Sequence, residues 1–357
     1  MTDNLFDRLF ELFQTTDPIN WRLAEEITKS VAGAPEPIEP QLAEEYEGLA
    51  LAAQLQLAKS GPLDIGGGVV PHPIDGSGWA SENHRSFAYL IEPLGGAMGG
   101  AFGGSDPMAA LGPALLGMQA GTMVGLMSHR VMGQFDTALP PLDDHRAYLV
   151  VPNVETFATD NDLDTRQVRL WATMHEVVYF TLMNIDRLRE HIAARIRELY
   201  SGLDFDPSRL MEKLSQMQDP AQLETMVSES GGLASLFGAD PRSAQAGDVA
   251  AAVVFIEGYG DHVVRAAGEA LLPDLTAIEE AQRTRRAEPN QAVDQLGQVV
   301  GLEVQRTRAG DAAELCAEIT SRWGPEALDG IWENPDHLPR LEELTDAVGW
   351  AARVLLV

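Results

Sequence analysis

The sequence predicts a mainly α-helical protein with very little β-structure, and three observations carry that prediction. Apolar residues recur at spacings of three and four along most of the chain, as the buried face of a helix requires. Segments rich in glycine and proline separate these stretches and read as loops. Convincing strand candidates are few, Ala147 to Pro152 (AYLVVP) among them, being short, β-branched and closed by proline.

Taken in order, the first element is the amino-terminal MTDNLFDRLFELF. There Leu5, Phe6, Leu9, Phe10 and Phe13 outline an amphipathic helix that packs on the body of the protein. It lacks the basic leader and small-residue cleavage site expected of a signal peptide. Trp21 to Val31 and Ile38 to Leu57 are predicted helices with acids between their apolar positions. Ser60 to Gly78 reads as a loop, Trp79 to Leu94 as a helix, and Gly95 to Gly104 as a connection. Met108 to Met127 carries no charge over about twenty residues, which is membrane length. Pro113 and Gln119 interrupt it, Asp106 precedes it, and no Lys/Arg cluster or aromatic belt flanks it. The expectation is a buried helix whose small residues allow close packing, with no membrane span.

Leu163 to Tyr200 is again helical. The polar stretch 201–246 is set apart as a mobile excursion, and helices resume from Gly247 to the end. This divides the chain into an N-terminal helical segment, 1–60, and one helical domain, 61–357. The Gly-rich GGAMGGAFGG follows no strand and precedes no Lys-Ser/Thr, so it is neither a P-loop nor a dinucleotide fingerprint.

Composition narrows the partners. There are 54 Asp and Glu against 25 Lys and Arg, a net charge of −29, which repels phosphate backbones and anionic lipid. Nucleic acid is therefore not expected, and a peptide or protein is the expected substrate or partner. The short basic run Arg283, Arg285, Arg286 reads as a solvated helix face. A single cysteine, Cys316, precludes an internal disulfide and favours a reducing, cytoplasmic setting.

The chemistry is concentrated in two apolar segments. Val168 to Met183 (VRLWATMHEVVYFTLM) is apolar almost all the way round, yet His175 and Glu176 sit in its middle. A buried, unpaired carboxylate costs several kcal/mol, so a partner must satisfy it. In a His-Glu-x-x-His zinc motif two imidazoles one turn apart bind the ion and the glutamate activates its water. Here the second position is Tyr179, whose phenol must lose a proton with a pKa of about 10 before it can bind metal well. Val253 to Val264 (VVFIEGYGDHVV) is a second apolar helix with embedded acids, Glu257 and Asp261 lying one turn apart. Glu257 could serve as a ligand from a separate helix and Asp261 could orient a histidine. His262 is the substitute ligand, although it is rotated off the face of Glu257. Taken alone, the first segment is better accounted for by a satisfied core histidine and a salt-bridged glutamate, and the second equally well by a helix with a solvated acidic edge.

In combination these segments resemble the zincin-like, zinc-dependent metalloprotease-like hydrolases, which include a branch linked to deazaflavin-cofactor biosynthesis. The likeness runs in order through NHRSFAYLIEPL, LGMQAGTMVGLMSHRVMGQFD, YLVVPNV, LWATMHEVVYF, IEGYGDHVV, WENPDHLPRLEEL and the closing GWAARVL. The resemblance implies a zincin-like helical metallohydrolase fold with the metal between the two acid-bearing helices. It assigns His175 and Glu257 as ligands and Glu176 as general base. Tyr179 departs from the pattern, so zinc is expected to bind weakly or not at all. Two readings stay open: a zinc-dependent hydrolase, with peptidase the candidate activity, carrying a degenerate motif; or an inactive zincin-fold module that binds a partner. Tyr179→His is expected to complete the ligand face that His175 begins.

Overall fold

A computed structural model describes residues 15, 17–60, 63–65, 69–101, 111–137, 141, 146–201, 243–289 and 306–356. The predicted amino-terminal helix and most of the 201–246 excursion lie outside the described residues. Helices dominate, as the spacing predicted. In chain order they are α1 (Trp21–Ala32), α2 (Pro40–Ser60), α3 (Gly76–Asn83), α4 (Ala88–Ala101), α5 (Leu111–Met127) and α6 (Val151–Asp160). They continue with α7 (Thr165–Met183), α8 (Asp186–Ser201), α9 (Ala244–Gly268) and α10 (Leu275–Ala287). The last three are α11 (Ala309–Trp323), α12 (Glu326–Glu333) and α13 (Ala347–Val354).

Two three-residue strands, β1 (His72–Ile74) and β2 (Tyr148–Val150), pair in parallel with His72 opposite Tyr148. The strand expected at Ala147–Pro152 is therefore present but shorter. It gives way to α6 at Val151, because Pro152 fits the first turn of a helix, where no N–H is needed. β1 falls inside the stretch expected to be a loop. The helix expected over Trp79–Leu94 is two helices joined by a turn at His84–Phe87. Where it breaks, buried Asn83 donates to Trp79 O and to the Gln134 side chain, tying the helix end to the 131–136 turn.

The uncharged segment became α5, packed chiefly against α1. Three of its glycines recur every fourth residue and meet α1 or its cap: Gly117 at Asn20 O, Gly121 at Ala24 O, Gly125 at Val31. Among the described residues no helix is long and apolar enough to cross a membrane.

α7 and α9 form the centre. Asp164 caps α7 by accepting from Gln167 N–H, and Ser243 caps α9 by accepting from Ala246 N–H. From Ala246 to Gly268 α9 is buried along most of its length, touching α2, α7, α8 and α11. Gly258 lets α11 approach, since a β-carbon there would meet Ala309 O at 2.5 Å. Gly260 does the same for α7, where a β-carbon would lie 2.7 Å from the Tyr179 ring.

Candidate functional site

Four of the residues singled out from sequence converge where α7 crosses α9. Positions four apart share a helix face, so His175 and Tyr179 look across at Glu257 and Asp261. His175 Nε2 lies 3.7 Å from Asp261 Oδ1, and the Tyr179 hydroxyl donates to the Glu257 backbone carbonyl at 3.4 Å. Trp171, one turn before His175, packs its ring edge-on to the imidazole with centroids 4.5 Å apart. Burial holds the His175 imidazole down at about 4, against the pull of Asp261, so the ring is neutral at physiological pH.

Glu176 leaves this face. One residue of helix turns the side chain by about 100°. Its carboxyl accepts from the Tyr148 N–H at 3.2 Å and the Phe135 N–H at 3.4 Å. Gly133 makes room, because a β-carbon there would collide with Glu176 Oε2. Burial raises the carboxyl to about 8, even though backbone N–H groups of Phe135, Tyr148 and Gln134 oppose the shift. At neutral pH it therefore keeps its proton for most of the time. His262, beside Asp261, is half-buried and takes no part in the hydrogen bonds and ion pairs of this cluster among the described residues.

The cations facing the acids are arginines. Arg306 donates from Nε to Glu257 Oε1 at 2.7 Å and from a terminal nitrogen to Asp136 Oδ1 at 3.2 Å. Arg285 reaches the other oxygen of Asp136 at 2.8 Å. Arg286 forks Asp261, one branch on Oδ2 and the other on Oδ1 at 3.1 Å. Burial alone would push Asp136 up, but Arg285, Arg306 and the Met132 N–H hold it well below the usual carboxylate range. Burial raises Glu257 despite Arg306 and Arg286, and burial of Arg286 is outweighed by Asp261 and Glu257, which hold its guanidinium charged. Three carboxylates thus face three guanidiniums. Above them, between the 132–136 turn and α7, lies a cleft of about 20 Å³. That is room for about one water molecule.

The sequence reading missed Asp136 and Arg306, and it misread part of the basic run. Arg283 is exposed as expected, but Arg286 has only 6% of its side chain in solvent and Arg285 15%. A signal was present: Leu275, Ile278 and Gln282 form the buried stripe of α10, and its next turn falls on Arg285 and Arg286. No comparable pattern marks Arg306.

No curated protein matches the chain. A solved structure from Chloroflexus aurantiacus, described as "a putative hydrolase with a novel fold", superposes with a TM-score of 0.67 and 22% identity. The match covers 94% of this chain and 98% of that one, and at this identity it establishes the fold. The sequence pattern of the family described as zincin-like metallopeptidase matches residues 19–351. The chain belongs to the zincin-like metallopeptidase family. In this zincin-like chain, however, the residues do not fit a zinc ion. A catalytic zinc site offers three protein ligands and an open position. Among the described residues no group of three or more His, Cys, Asp and Glu side chains is placed to hold a metal. Glu257 and Asp261 are already bound to guanidiniums, and a divalent ion beside three arginines would be repelled. One atom points the other way: Glu257 Oε2 is buried without a hydrogen-bond partner among the described residues. Arg306 on the neighbouring oxygen already supplies the charge that this carboxylate needs.

Proposed function

We propose that this chain is a zincin-family protein that has exchanged hydrolysis for binding, and that it works as a recognition or scaffold module for a peptide or protein. The observation that carries the reading is the ion pair of Arg306 with Glu257, which occupies the carboxylate that a metal would require. Glu176 supports it, because a carboxyl that stays protonated near pH 7 and is held by backbone N–H groups is a poor general base. The second reading, a weak zinc-dependent hydrolase, is favoured by the unpartnered Glu257 Oε2 alone.

The two are separated by purifying the full chain without added metal, then measuring zinc per chain and turnover of an unstructured protein such as casein with and without zinc. The expected result is far less than one zinc per chain and no chelator-sensitive turnover. One zinc per chain, with turnover lost both to chelator and in Glu176→Gln, would overturn the proposal.

A further inference from the structure

Glu257 and Asp261 on α9, with Asp136 on the 132–136 turn, place three acids in a largely buried region. Such a cluster stays ionised only if cations are held against it. Arg306 is the one that bridges two of the acids, spanning from Glu257 at 2.7 Å to Asp136 at 3.2 Å. Its position is built in. It opens the single 3-10 turn Arg306–Arg308, which leads directly into α11, and α11 is seated on α9 where Gly258 meets Ala309 O and Ala312. Residue 306 is 9% exposed, so the guanidinium lies inside the cluster and not over it.

We propose that Arg306 is a tethered replacement for the metal ion: its guanidinium occupies the charge-balancing place beside Glu257 and Asp136 that a divalent cation would need. The inference rests on the metal-free reading above. It adds that the obstacle to zinc is the resident cation as well as the missing histidine. An arginine side chain keeps its charge at every pH a protein survives and cannot dissociate, so it competes with zinc at all zinc concentrations. Tyr179→His completes the ligand face that His175 begins, but on this account it is not enough while Arg306 stays.

The test is a zinc titration against a competing chelator at neutral pH, using wild type, Tyr179→His, Arg306→Met and the double variant. Tyr179→His alone is expected to change zinc affinity by less than about threefold, and the double variant to gain about tenfold or more, the scale of losing or gaining a ligand-level contact. Zinc should also raise the melting temperature of the double variant and leave that of wild type unchanged. If the double variant is unfolded without metal, recovery of its helical circular dichroism on adding zinc supports the proposal, and failure to recover overturns it. A double variant that folds but binds no tighter than Tyr179→His overturns it, as does a full gain in Tyr179→His alone. Tight zinc binding by wild type would instead strike the preceding reading, so the two failures are distinguishable.

Discussion

Two helix crossings in this protein are both tight, and they are held in opposite ways. At α1–α5, Gly117, Gly121 and Gly125 bring one helix onto the backbone of the other, and the polar contacts are few and neutral. Asn20 N–H donates to Pro113 O at 2.9 Å, and the Thr28 hydroxyl donates to Gly121 O at 3.3 Å. At α7–α9, Gly260 allows a similar approach, but the space beside it holds acids and arginines in balance. The first crossing depends on shape, whereas the second depends on charges that must all be present together. A buried ion pair adds little net stability compared with apolar packing, but breaking one is costly because the remaining charge stays buried.

The largest expected effect comes from upsetting that balance. Asp136→Asn removes the carboxylate shared by Arg285 and Arg306 and should cost about 3–5 kcal/mol in urea denaturation. A loss under about 1 kcal/mol would mean that solvent compensates these arginines and that the contrast with α1–α5 is false. Next in size, Gly121→Ala places a β-carbon against Ala24 O and should cost about 1–3 kcal/mol by overpacking. Because no ionisable group is involved at Gly121, the penalty should be the same at pH 5.5 and pH 8. A penalty that changes with pH would break the distinction between the two crossings.

The smallest effect is a slope. His175 titrates at about 4 in the fold and near 6.5 when free, so the unfolded chain takes up its proton first and stability is lost as pH falls below 6.5. Glu176 has the opposite sign. It titrates at about 8 in the fold and near 4.5 when free, so the fold keeps a proton that the unfolded chain has released, and stability falls as pH rises between those values. The two oppose each other up to pH 6.5, and above it only Glu176 of the two still titrates, with Asp136 as the nearby acid that adds to its shift and Glu257, also raised by burial, acting in the same direction. Stability should therefore decline from pH 6.5 to 8 by up to about 1.4 kcal/mol per pH unit. Glu176→Gln should flatten that decline, and an unchanged slope in the variant would place its origin elsewhere.

The crossings also differ in how far the sequence discloses them. Helix α5 could be read directly, since an uncharged stretch with regular glycines needs a close neighbour and the interruptions at Pro113 and Gln119 argue against lipid. The α7–α9 acids were equally visible, because carboxyl groups in the middle of apolar helices are costly unless paired. What paired them was not visible. A metal and an arginine satisfy a buried carboxylate equally well in sequence terms, and Arg306 comes from a separate turn with no periodic signature around it. Arg286 was hidden for another reason: a run of arginines is usually solvated, and only the continuation of the Leu275, Ile278, Gln282 stripe shows that this one turns inward.

Asp136 also joins two separated points of the chain. Arg285, near the end of α10, and Arg306, just before α11, donate to the two oxygens of the same carboxylate. One side chain thus clasps the end of α10 to the start of α11, and Asp136→Asn would loosen both helices together instead of one alone.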